Sequence, residues 1–150
     1  MKRFFLVAGS RDFEDVRTLE RVIGDVIAPY TFFDEIVIVE GGARGVDTMA
    51  REYAKKRGLQ WIEIKPNWKQ YGRAAGPKRN DEMVRLVAEH EGEAVFFWDG
   101  QSKGTAQCIK SARKSGLIVT IWNTAECRFM VNEKAALSNR LKRVGAIGGE

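Results

Sequence analysis

Cysteine and histidine are nearly missing: Cys108, Cys127 and His90 are the only ones in 150 residues. A structural zinc site needs more ligands of these types, closer together. No metal site is expected, no cofactor is implied, and the setting reads as reducing and cytoplasmic. Long apolar runs are also missing. None approaches the ~20 residues that cross a bilayer, so no membrane partner is expected. The opening "MKRFFLVAGSRDF" has two basic residues and a five-residue apolar run. A secretory leader carries about 7–15 apolar residues and a small-residue cleavage site. This run is shorter and flows into "GSRD", so it reads as a first strand. Two nucleotide motifs are absent as well. "GSRDFED" lacks G-x-G-x-x-G, and G-x-x-x-x-G-K-[ST] occurs nowhere, which excludes the usual dinucleotide fingerprint and an ATPase P-loop. No internal repeat, low-complexity linker or second domain is expected.

What is present is an ordinary globular balance, 44% hydrophobic and 30% charged, long enough for one domain with a sizeable core. The net charge of +5 and pI near 9.4 suit an anionic partner, either a phosphorylated small molecule or nucleic acid. Most basic residues alternate with acids along helical stretches such as "REYAKKRG" and read as solvated faces. Five apolar runs stand out: "FFLVA" (4–8), "IVIV" (36–39), "WIEI" (61–64), "AVFFW" (94–98) and "LIVTIW" (117–122). Four are nearly continuous, as strands covered on both faces are. "WIEI" alternates around Glu63 and suggests an edge.

Helical patterns fill the gaps. Residues 15–27 place Val16, Leu19, Ile23, Val26 and Ile27 on one face; residues 47–57, 77–90 and 104–115 do the same around Tyr53, Val84 and Ile109. Pro77 suits a first turn, and Gly58 follows a basic last turn. The expected fold is α/β: a Rossmann-like, five-stranded parallel sheet of order 3-2-1-4-5 with helices on both faces, spanning residues 1–124. Residues 125–150 read as an extension, a helix over 132–145 and a loose end. In such a sheet ligands bind beyond the carboxyl ends of the strands, where the chain reverses direction between strands 1 and 4.

Glycine gathers at those ends: "GSRDF" (9–13), "GGARGVD" (41–47) and "DGQSKGT" (99–105). Glycine lets backbone N–H groups approach a ligand, and a helix N-terminus favours phosphate. Candidate ligand-binding residues are Gly9, Ser10, Arg11, Gly41, Gly42, Arg44, Gly45, Asn80, Gly100, Ser102, Gly104 and Thr105. Each also has a plain structural reading. The glycines can serve tight turns, Asp47 can be an N-cap accepting from the Ala50 N–H, and Trp68 and Tyr71 can pack under their own loop or stack on a base. Cys108 lies on a buried-looking face. Three such loops converging on one crevice favour a binding site.

The segments "GSRDF", "EGGARGVDTMAREYAKKRG", "AGPKRNDEM" and "FWDGQSKGTAQCIKSARKSG", in that order and spacing, resemble the SLOG superfamily, specifically its small YspA-like branch. The resemblance covers roughly residues 4–122. It implies a Rossmann-like sheet, a site for nucleotides or their derivatives, and dimerisation through helices. LOG enzymes of this superfamily cleave the N-glycosidic bond of a cytokinin nucleoside monophosphate. They use an arginine after strand 3, a G-G-x-G-T phosphate loop, and a glutamate three residues beyond its threonine. By that resemblance Arg79 falls near the arginine, and "GQSKGT" is similar to the phosphate loop. The glutamate's place is taken by Cys108, and a thiol does a carboxylate's work on an oxocarbenium-like centre poorly. Asp47, Asp99 or Asp12 would have to substitute, so the catalytic candidates are Arg79, Asp99 and Asp47. Three functions stand open: a nucleotide-derivative binder acting as sensor or processing protein; an N-glycoside hydrolase or transferase on a nucleotide; and a nucleic-acid binder of the DprA type.

Overall fold

The computed structural model describes residues 1–133. The expected tail helix lies outside them from residue 134 onward. The order is β1 (Lys2–Gly9), α1 (Val16–Ile27), β2 (Glu35–Glu40), α2 (Val46–Arg57), β3 (Gln60–Glu63), short α3 (Trp68–Tyr71), α4 (Ala75–Glu89), β4 (Glu93–Trp98), α5 (Lys103–Lys114), β5 (Ile118–Asn123) and β6 (Arg128–Asn132). The strands form one sheet ordered β3-β2-β1-β4-β5-β6. The first five are parallel; β6 runs antiparallel to β5.

Alternation along β1 builds two cores, because successive strand residues face opposite sides. Phe4, Leu6 and Ala8 pack with Met83, Val84 and Val87 of α4 and Cys108, Ile109 and Ala112 of α5. Phe5 and Val7 pack with Leu19, Val22 and Ile23 of α1 and Ala50, Tyr53 and Ala54 of α2. Burying both faces explains the near-continuous apolar runs. β3 is an edge strand, as its alternation suggested. α1 starts where the Asp15 side chain accepts from the Thr18 N–H. Its buried face holds Val22, while Val16, assigned to that face from sequence, is 46% exposed. α2 ends at Gly58 in the left-handed conformation, and Pro77 sits in the first turn of α4.

β6 adds a sixth strand to the five expected, within the stretch read as an extension. "RFMVN" is neither an apolar run nor alternating, so it carried no strand signal. Tertiary contact makes it one. The Asn123 carboxamide oxygen accepts from the N–H groups of Ala125 and Glu126 and turns the chain. Phe129 then meets Trp122 edge-on at 5.0 Å. Among the described residues no helix is long and apolar enough to cross a membrane.

Candidate functional site

The β1, β2 and β4 loops meet at the carboxyl rim, held by backbone bonds. Ser10 N–H donates to the Phe97 carbonyl at 3.0 Å, and Val46 N–H to the Ser10 carbonyl at 3.3 Å. Gly45 is the crossing point and the residue that opens α2, with φ +78°; a Cβ there would stand 2.5 Å from the carbonyl oxygens of both Ser10 and Arg11. A Cβ on Gly41 would run into the Arg79 guanidinium and the Asp47 carboxylate. These glycines serve the close approach of protein to protein.

The amides of this loop are occupied by the chain's own carboxylates. Asp47 Oδ2 accepts from Gly41 N–H at 3.1 Å and Ala43 N–H at 3.3 Å. Glu40 Oε2 accepts from Gly42 N–H at 2.6 Å. Asp47 is therefore not the expected N-cap. α2 begins one residue earlier, at Val46, which turns the Asp47 side chain back into the loop. Burial pushes the Asp47 carboxyl up to about 6, against the pull of the two amides and of Arg79 and Arg11.

Glu40, fully buried, is pushed up to about 7, chiefly by burial and further by Glu63, its register partner on β3. Its Oε1 has no partner among the described residues. The ordinary values are 4.5 for Glu40 and 3.8 for Asp47. Between those and the raised values the folded chain holds protons that the unfolded chain has lost, so stability falls as pH rises. Glu40 alone should cost on the order of 2 kcal/mol from about pH 5 to about pH 8, or roughly 6 °C in melting temperature. Thermal melts of the wild type and of Glu40→Gln check this. The substitution should flatten the profile; a wild-type profile rising toward alkaline pH contradicts the assignment.

On the opposite wall, Arg79 Nη1 donates to the Gly41 carbonyl and Nε to Asn80 Oδ1 at 2.8 Å. Asn80 Nδ2 donates to Gln107 Oε1 at 2.9 Å and, at 3.4 Å, to the Gly104 carbonyl. Arg79 and Asn80 thereby tie the β2 loop to α4 and α5. Asp99 Oδ1 accepts from the Gln101 and Ser102 N–H groups, both at 2.8 Å, and these bonds hold its carboxyl below the ordinary carboxylate value. The turn it makes presents the N-terminus of α5, whose Ser102 cap makes no side-chain capping bond.

The rim encloses a cavity of about 410 Å³. Its lining includes Gly9, Ser10, Arg11, Asp47, Arg79, Asn80, Asp99, Ser102, Gly104 and Thr105. Gly41, Gly42 and Arg44 instead line an adjoining chamber of about 510 Å³, which shares Arg11, Ala43, Trp68 and Arg79 with the first. Gly45 and Gly100 line neither; they shape the loops. Cys108 lies at the cavity but is buried, and burial pushes its thiol up to about 12, so it is no nucleophile. Sequence reasoning passed over Met83, Gly76, Lys65 and Pro66. Only Lys65, a cation just past a strand's carboxyl end, carried a usable signal. Trp68, 51% exposed, lines both chambers.

Residues 5–71 match the family model described as YAcAr: YspA, cpYpsA-related SLOG family. The "Gene 61 protein" of Mycobacterium phage D29 is 34% identical over 124 residues, covering 78% of this chain and 94% of that protein. Among solved structures, DNA processing protein A (DprA) from Streptococcus pneumoniae aligns with a TM-score of 0.59 at 20% identity. The alignment covers 79% of this chain and 50% of that one, so this chain spans half of that protein's length; the likeness is one of fold.

Proposed function

The chain belongs to the YspA, cpYpsA-related SLOG family, and on that premise we propose that its rim cavity binds a nucleotide or nucleotide-derived ligand, as a sensor or processing protein. One observation carries this reading. Gly104 lies in the first turn of α5, and a Cβ built on it meets nothing within 4 Å. Inside a helix, glycine costs about 1 kcal/mol relative to alanine. Packing gives no reason for that cost. Glycine leaves the uncapped helix N-terminus bare to the cavity, where N–H groups and the helix dipole favour phosphate. Ser102 and Thr105 add hydroxyls, and Arg11 and Arg79 add positive charge. Asp47, at the same cavity, suits a ribose hydroxyl. Dimerisation through helices and a reducing, cytoplasmic setting belong to the same proposal. Isothermal titration with nucleoside monophosphates, cyclic nucleotides and ADP-ribose is the test. At least one is expected to bind, and silence from all of them at millimolar concentration contradicts the reading.

Asp47 favours a second reading, nucleotide N-glycoside hydrolysis or transfer. A buried carboxyl raised to about 6 at a cavity suits proton transfer near neutral pH, whereas Asp99 is spent on its own turn. Here Asp47→Asn should cut release of free base about 100-fold or more while nucleotide binding persists. Undiminished release removes Asp47 from the chemistry.

A further inference from the structure

The two chambers differ in charge. Asp12, Asp47 and Asp99 line the first, beside Arg11 and Arg79. The second has Arg11, Arg44, Lys65 and Arg79 in its lining and no carboxylate. Its backbone has little left to offer an anion, because Glu40 and Asp47 take the amides of Gly41, Gly42 and Ala43. Its anion-binding capacity therefore lies in side chains. Lys65 and Arg44 touch acids only loosely, Glu63 at 3.8 Å and Asp12 at 3.8 Å, with side chains 73% and 78% exposed. Such contacts are weak and easily re-aimed. Arg11 and Arg79 line both chambers.

Resting on the nucleotide reading above, we infer that the second chamber is a subsite for a second phosphate, and that the ligand class is a nucleoside diphosphate or a molecule built on one. The phosphate at the N-terminus of α5 uses the first chamber's helix end and hydroxyls. A phosphate joined to it reaches, beyond the shared Arg11 and Arg79, the side chains of Arg44 and Lys65. A monophosphate in the first chamber leaves Arg44 and Lys65 without an anionic ligand.

The test titrates the full chain, with chelator present, against the four common ribonucleoside 5′-mono- and 5′-diphosphates. The best diphosphate should bind about 10-fold or more tighter than its matching monophosphate. In Arg44→Ala/Lys65→Ala that ratio should fall to about 2 or less, with monophosphate affinity unchanged; both side chains are exposed, so the core is untouched. Lys114→Ala, an exposed cation at the far end of α5, controls for overall charge and should change nothing. Equal binding of mono- and diphosphates by the wild type overturns the inference while leaving the nucleotide reading in place. A double variant that weakens both alike also overturns it. Failure of every nucleotide to bind removes both.

Discussion

Gly104→Leu should abolish ligand binding and leave the protein as stable as before, or slightly more so. The two halves of this result have separate causes. Leucine is a far better helix former than glycine, and a Cβ at this position meets no protein atom within 4 Å. The fold gains up to about 1 kcal/mol, a rise of roughly 2–4 °C in melting temperature. The same side chain must project at the cavity that Gly104 lines and cover the bare start of α5. A phosphate that depends on those N–H groups loses its seat, and affinity for any nucleotide of the panel should drop about 100-fold or more. Gly104→Ala should fall between. Titration and a thermal melt on the same preparations check the pair. Unchanged binding would place the ligand elsewhere, and a parallel loss of stability would make Gly104 structural.

Gly45→Ala should do the opposite, with a large loss of stability that carries the site down with it. Its φ of +78° is strained for any L side chain, and the new Cβ would stand 2.5 Å from two carbonyl oxygens. Strain of about 1–3 kcal/mol adds to a backbone clash of similar size, for an expected loss of about 3 kcal/mol or more. Relief requires the Ser10–Arg11 loop to leave the start of α2, which breaks the Val46-to-Ser10 bond and opens the cavity wall. Gly58→Ala separates strain from contact. Gly58 also has positive φ, +68°, but nothing stands within 4 Å, so its loss should be about 1 kcal/mol. Equal losses at the two positions would show that the loop crossing contributes nothing.

The fold was legible where a strand is buried on both faces. "FFLVA" and "AVFFW" could read as little else, and the alternation of "WIEI" marked the edge correctly. "RFMVN" was illegible, because only β5 beside it makes it a strand. At the site, the meeting of three glycine loops on one rim was readable from topology, but the separate duties of the glycines were not. Gly41 and Gly45 admit neighbouring protein atoms, whereas Gly104 opens on empty space; composition is identical in both cases. Asp47 misled for a related reason. An aspartate near a helix start suggests a cap, but the free amides of its own loop lay closer. Lys65 and Trp68 reach the chambers through the fold of the long segment after β3, whose path no local pattern sets.

The most direct test is an amide-resolved NMR titration with the nucleotide that binds best. The largest shifts should fall on Lys103, Gly104 and Thr105, where the helix end is uncapped. The amides of Gly41, Gly42 and Ala43, already bonded to Asp47 and Glu40, should move far less. Shifts concentrated on 41–43, with 103–105 silent, would contradict an anion seated at the start of α5.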